Sequence, residues 1–156
     1  MSKQAHRQEQ KVAKSAKEGV RQMHPDFRKA DSLSKEVIGA AIEVHKIMGP
    51  GLLESIYQRC LLREMELRGY SACGQEKVNI TYKDVTFTET LRFDLLIENV
   101  LLVEVKAVQE IHAIHKAQLL SYMKLLNIPV GLLINFHEMK VVNGISRMIL
   151  KGADTN

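Results

Sequence analysis

The sequence predicts a single α/β domain, over about residues 32–150, with its elements in the order ααβββαββ. Its length of 156 residues suits one domain and leaves no room for two ordinary ones. The apolar residues recur at steps of three and four before Gly74 and at steps of two after it, which indicates helices followed by strands. A content of 46% hydrophobic and 26% charged residues is typical of a globular chain.

Two helices are predicted at the start of the domain. The first apolar stripe starts after Ser32 and consists of Leu33, Val37, Ala40, Ala41, Val44, Ile47 and Met48. Gly49, Pro50 and Gly51 end this helix. The second helix runs from about Leu52 to Arg68, and Gly69 is placed as its C-terminal cap.

Strands are predicted in the second half, interrupted by one helix. Strand segments are predicted over residues 78–82, 85–88, 91–97 and 100–106. Lys83-Asp84 is a turn signal, and Glu98-Asn99 is a break before the last of these segments. A helix follows over roughly His115–Leu126, then an apolar strand over Val130–Ile134. Residues 139–150 are predicted to form a last strand or strand pair, and residues 151–156 are predicted to form a polar tail.

The positive charge is concentrated in residues 1–31, which we predict to be a basic, flexible extension. Residues 1–30 hold eight Lys and Arg against three Asp and Glu, whereas the remainder holds 14 against 15. Such a segment is either a solvated leader or a source of affinity for a polyanion. No secretory signal or membrane span is expected, and two cysteines do not make a disulfide framework, so we expect a cytoplasmic protein without a membrane partner.

Three charged residues fall where a core strand should be apolar. Glu104 and Lys106 lie two apart and therefore share one face of their strand. A two-residue turn at Glu98-Asn99 would set Glu104 opposite Phe93, which is unfavourable. We predict instead a connection of odd length, or a bulge, centred on Asn99, so that Ile97 faces Leu101 and Asp94 lies opposite Glu104.

The predicted pair of carboxylates favours a metal site. Two adjacent carboxylates repel each other unless they share a proton or bind a divalent cation, and Mg²⁺ prefers oxygen ligands of this kind. A neighbouring ammonium such as that of Lys106 can then orient water and offset charge on a phosphate. The alternative is a surface ion pair between Glu104 and Lys106, with Asp94 as an incidental neighbour.

These residues resemble the D…ExK signature of the PD-(D/E)XK nuclease superfamily. The resemblance narrows to the GxxExxY family, because Gly51, Glu54 and Tyr57 have the spacing for which that family is named. It covers roughly residues 34–150. The other segments that resemble family landmarks are 42–45, 49–51, 118–122 and 131–136.

The resemblance implies a restriction-endonuclease-like core, in which helices flank a central mixed sheet, and it assigns site residues. Asp94, Glu104 and the Val105 carbonyl would bind Mg²⁺, with Mn²⁺ as a substitute, and Lys106 would position water. Glu54 would extend the metal site from its helix, Gln118 would act near Lys106, and Tyr122 would contact substrate. Glu54 could instead be a glutamate favoured by the helix dipole, and Gln118 and Tyr122 could be exposed polar residues.

The predicted function is Mg²⁺-dependent hydrolysis of phosphodiester bonds in nucleic acid, with DNA the favoured substrate. An RNA or small nucleotide substrate is a further possibility. The rival is a non-catalytic nucleic-acid or protein-binding module that retains the nuclease fold. A near-neutral domain and an aromatic content of only 5% favour this rival. The oligomeric state is left open, a homo-oligomer included.

Overall fold

A computed structural model of the protein describes residues 22–155. In this part of the chain, three helices and five strands follow one another in the predicted order. The helices are α1 (Phe27–Met48), α2 (Glu54–Leu67) and α3 (Ala113–Leu126). The strands are β1 (Ala72–Tyr82), β2 (Val85–Ile97), β3 (Leu101–Lys106), β4 (Val130–Asn135) and β5 (Ile145–Ile149), and a 3₁₀ turn, Val141–Gly144, precedes β5.

The five strands form one mixed sheet in the order β1-β2-β3-β4-β5. Only β3 and β4 run parallel, because α3 carries the chain back across the sheet between them. The other three neighbouring pairs are antiparallel. The predicted mixed sheet flanked by helices is therefore confirmed.

Each face of the sheet has its own hydrophobic core. Alternate residues of β3, namely Leu101, Val103 and Val105, belong to the larger core with α1 and α2. Leu102 points the other way, into a second core with Leu119 and Met123 of α3. Because side chains alternate along a strand, Glu104 and Lys106 lie on the α3 face.

The β2–β3 connection has the register that we predicted as far as Leu95 and Val103, and beyond this pair Asp94 is not paired with Glu104. Ile97 pairs with Leu101 and Leu95 with Val103, which leaves a three-residue turn. Glu98 and Asn99 both adopt positive φ, at 52° and 58°, and the Val100 N–H donates to the Ile97 carbonyl at 3.1 Å. The tight two-residue turn is thus excluded.

The first helix begins earlier than the apolar stripe predicted. Residues 27–31, assigned from sequence to the extension, form the first turn and more of α1, and Ala30 is fully buried. The His24 N–H donates to the Ala153 carbonyl at 2.9 Å, which joins this end of the domain to the predicted polar tail. The rest of the predicted extension, residues 1–21, lies outside the described residues. Within residues 22–155, no helix is long and apolar enough to cross a membrane.

Tyr57 fixes the loop between α1 and α2. Its ring is fully buried and stacks on Phe136, with centroids 4.6 Å apart. Its hydroxyl donates to the Gly49 carbonyl at 2.5 Å and accepts from the Leu52 N–H at 3.0 Å. Gly49, at φ 73°, turns the chain out of α1. One side chain from inside α2 therefore sets where α2 begins.

Tyr57→Phe should destabilise the domain by about 1–3 kcal/mol, because it leaves the Gly49 carbonyl and the Leu52 N–H without their partner. Urea denaturation would measure the change. The matched control is Tyr82→Phe, whose side chain is exposed and which should be near neutral. Equal stabilities of the two variants would contradict the role of the Tyr57 hydroxyl.

Candidate active site

The carboxyl groups of Asp94 and Glu104 meet where β2 separates from β3. The last regular pair between these strands is Leu95 with Val103, and beyond it side chains replace strand hydrogen bonds. Asp94 Oδ2 accepts from the Val105 N–H at 2.7 Å, and Glu104 Oε1 accepts from the Asp94 N–H at 3.4 Å. Each carboxylate thus reaches the backbone of the opposite strand.

A distortion of β2 puts Asp94 in this position. Cys73 of β1 pairs with Leu96 and Gln75 with Arg92, so that Gly74 alone faces the three residues 93–95. Such a bulge bends a strand and re-aims its side chains. Phe93 accordingly belongs to the α3-side core and Leu95 to the opposite core, although they are two residues apart.

Glu104 carries a strongly perturbed pKa. Burial away from water raises it most, and the charge and side-chain hydrogen bond of Asp94 raise it further, to about 8 from an ordinary value of 4.5. The hydrogen bond from the Asp94 N–H and the positive charge of Lys106 oppose this shift, and together they lower the pKa less than burial and the Asp94 side chain raise it. A proton on Glu104 near neutral pH is one of the two ways in which adjacent carboxylates relieve their repulsion.

Lys106 is half-buried on the same face as Glu104. Its carbonyl accepts from the Phe136 N–H at 2.8 Å, which ties the end of β3 to β4. Among the described residues its ammonium makes no ion pair within 4 Å, so the alternative of a surface ion pair with Glu104 is not what the structure contains. The positive charge remains available to another anion.

The oxygen atoms available at this point are those that a hard cation prefers. The Val105 N–H points towards Asp94, and in an extended strand the carbonyl of the same residue points the same way. Two carboxylates therefore meet between β2 and β3, and the Val105 carbonyl points to the same edge of β3. Within residues 22–155, no third His, Cys, Asp or Glu joins them in a group that could hold a metal ion.

The other predicted site residues lie on the helices α2 and α3. Glu54 is the half-buried first residue of α2, whereas Gln118 is exposed and Tyr122 half-buried on α3. In the described part of the chain, no side-chain hydrogen bond joins any of the three to Asp94, Glu104 or Lys106. Their roles in the site stay predictions.

Two residues of the site were not assigned a role from sequence. Gln58 Nε2 donates to the Asp94 carbonyl at 3.3 Å, and Gln58 lies one helical turn after Glu54. The buried Asn135 side chain donates to the Val108 carbonyl at 2.8 Å and accepts from the Val108 N–H at 3.1 Å. Two sequence signals could have identified these residues. Gln58 is a polar residue on the side of a helix that faces the protein, and Asn135 is a polar residue at the end of an apolar strand.

An open cleft begins just after β3. It measures about 720 Å³ and is lined by Val108, Gln109, Glu110, His112 and His115. The two histidines lie at the start of α3, where each side chain accepts a backbone N–H of the other residue. The Asn135 side chain holds the segment that leads from Lys106 into this cleft.

The raised pKa of Glu104 predicts a pH-dependent stability. In the folded state Glu104 keeps its proton up to about pH 8, whereas the unfolded chain loses it near 4.5, so the stability falls as the pH rises through this window. Glu104→Gln should have the same stability as the wild type near pH 4.5 and a higher stability above pH 8. Between these values the difference in unfolding free energy should grow by at most about 1.4 kcal/mol per pH unit.

Urea denaturation across this range, with a chelator present, would measure the difference. Glu89→Gln is the matched control, because Glu89 is an exposed carboxylate on the same strand as Asp94. If Glu104→Gln and Glu89→Gln followed the same pH dependence, the buried carboxyl pair would be refuted.

Comparison with known proteins agrees with the fold. A family model of the PD-(D/E)XK nuclease superfamily matches residues 31–148, from the first part of α1 to the end of β5. No curated protein and no solved structure matches the chain. The matched region includes Asp94, Glu104, Lys106 and most of both hydrophobic cores. The chain belongs to the PD-(D/E)XK nuclease superfamily.

Proposed function

We propose that this protein is a Mg²⁺-dependent nuclease that hydrolyses phosphodiester bonds, with DNA as the favoured substrate. The observation that carries the proposal is the Asp94–Glu104 pair, in which two carboxylates are brought together at a cost that only a proton or a cation offsets. Structural carboxylates are rarely buried beside each other, and perturbed pKa values of this kind cluster at functional sites.

The donor atoms fit Mg²⁺. Asp94, Glu104 and the Val105 carbonyl would hold it, and Mn²⁺, which also accepts oxygen ligands, would substitute. Mg²⁺ needs only one or two carboxylates from the protein, which agrees with a site of two carboxylates. When bound, the cation neutralises charge on the phosphate and makes water more acidic.

The residues of the chain have distinct tasks in this proposal. Asp94 and Glu104 supply negative charge in a fixed arrangement, because each is hydrogen-bonded to the opposite strand. Lys106, on the Glu104 face, orients the attacking water and stabilises the added charge on phosphorus through its ammonium. The cleft that begins two residues after Lys106 would receive the substrate.

We further propose that the chain is a GxxExxY protein. Tyr57 of the motif fixes the loop from Gly49 to Leu52 and so the start of α2, where Glu54 lies. Glu54 is one turn from Gln58, which contacts Asp94, so this side of α2 is directed towards the site. This supports a role of Glu54 in the site, and the location of Gln118 and Tyr122 on α3, over the face of Lys106, supports theirs.

A reducing, cytoplasmic location is part of the same proposal. Cys60 and Cys73 are both free thiols, and Cys73 is exposed, which suits a compartment that keeps thiols reduced.

The rival function, a binding module without catalysis, is favoured by the neutral charge of the described region, which contains 16 basic and 16 acidic residues.

Cleavage assays separate the two functions. Asp94→Asn, Glu104→Gln and Lys106→Ala should each lower the Mg²⁺-dependent cleavage rate about a hundredfold or more, because each removes charge stabilisation from the transition state. Double variants should lose little more, since residues that act as a unit are not additive. Lys77→Ala, exposed on β1, is the control. A wild-type protein that cleaves neither DNA nor RNA with Mg²⁺ or Mn²⁺ would establish the binding module instead.

The basic segment before residue 22 predicts a salt effect on binding. Residues 1–21 contain six Lys and Arg against two Asp and Glu. Replacing all six by Gln in the full chain should weaken nucleic-acid binding equally for all sequences. The slope of log affinity against log salt should become less steep by about 0.9 for each duplex phosphate that the segment no longer neutralises. An unchanged slope would show that this segment does not contact the polyanion.

A further inference from the structure

Side chains contact both backbone polar groups of Asp94, which has no paired residue on either neighbouring strand. Its N–H donates to Glu104 Oε1 at 3.4 Å and its carbonyl accepts from Gln58 Nε2 at 3.3 Å. These contacts come from opposite sides of the sheet, because Gln58 lies on α2 and Glu104 faces α3. The bulge at residues 93–95 has removed Asp94 from the regular ladder with β1.

A backbone segment without ladder partners needs another restraint to keep one conformation. Buried carbonyl and N–H groups are almost always hydrogen-bonded, so the Asp94 carbonyl must have a donor or water. Gln58 is the donor that the fold provides, from a helix anchored in the larger core by Tyr57, Leu61 and Met65. The side-chain amide of Gln58 therefore couples the position of α2 to the conformation of the bulge.

We propose that Gln58 is a positioning residue, which holds the β2 bulge so that the Asp94 carboxylate stays on the Val105 N–H and beside Glu104. Its consequence for cleavage rests on the proposed function, whereas its effect on Asp94 does not. Gln58 acts in this role through the Asp94 carbonyl, and not through either carboxylate.

The side-chain chemistry at residue 58 is restricted. The group that meets the Asp94 carbonyl must be a hydrogen-bond donor, which excludes a carboxylate and an apolar side chain. A glutamate of the same shape would also add a negative charge near Asp94 and Glu104. Lysine keeps a donor on a stem long enough to reach the carbonyl and can substitute in part.

The test uses the exchange rate of the Val105 amide hydrogen, which reports whether Asp94 Oδ2 is in place. Gln58→Met in the full chain should exchange this hydrogen about fivefold to tenfold faster, the effect of one hydrogen bond. Asp94→Ala defines complete loss of protection. Gln58→Lys should restore most of it, and Arg59→Met, an exposed neighbour on α2, should leave it unchanged.

Titration with Mn²⁺ gives a second measurement. Gln58→Met should bind Mn²⁺ several-fold more weakly than the wild type and Arg59→Met, and in a cleavage assay it should lower kcat more than it changes KM. Unchanged Val105 exchange in folded Gln58→Met would overturn the positioning role, whatever the activity. Faster exchange together with a wild type that cleaves no nucleic acid would keep the positioning role and reject the nuclease.

Discussion

The hydrogen bond from the Val105 N–H to Asp94 Oδ2 is the contact on which the site depends. A regular antiparallel pair would use that N–H for a backbone carbonyl of β2. Here the strands separate after Leu95 and Val103, and the carboxylate occupies the place of the missing carbonyl at 2.7 Å. The Asp94 carboxylate therefore links the two strands. Its second oxygen, Oδ1, is left for another partner.

The stability of the fold and the chemistry of the site oppose each other at Glu104. Burial and Asp94 hold its pKa near 8, so the doubly ionised pair is unfavourable unless a cation neutralises it. The two hydrophobic cores on either side of the sheet supply the stabilisation that offsets this cost. The site is rigid because it lies between these cores, on strands whose neighbouring residues are fully buried.

Much of this structure was predictable because local patterns and burial agree. The order of elements followed from the apolar periodicity. The register of β2 with β3 followed from keeping Leu95, Ile97, Leu101 and Val103 on one face. The early start of α1 was missed because Phe27 and Ala30 precede a polar turn and continue the stripe only faintly. The bulge at residues 93–95 and the contact of Gln58 depend on which helix packs beside which strand, and one sequence does not contain that information. The nearness of Asp94 to Glu104 was predictable from the register, although the bulge sets the final position of Asp94. The places of Glu54, Gln118 and Tyr122 relative to this pair needed the full packing.

The three-residue turn between β2 and β3 limits how this region can change during evolution. It is at the surface, where insertions and deletions are usually tolerated, and Asn99 is exposed. However, Ile97 and Leu101 must remain paired, and the Glu98 carboxylate also accepts from the Ser71 N–H at 2.9 Å. Gaining or losing one residue would move every side chain of β3 to the opposite face and turn Glu104 and Lys106 into the larger core. The length of this turn is therefore as restricted as the identity of a buried residue.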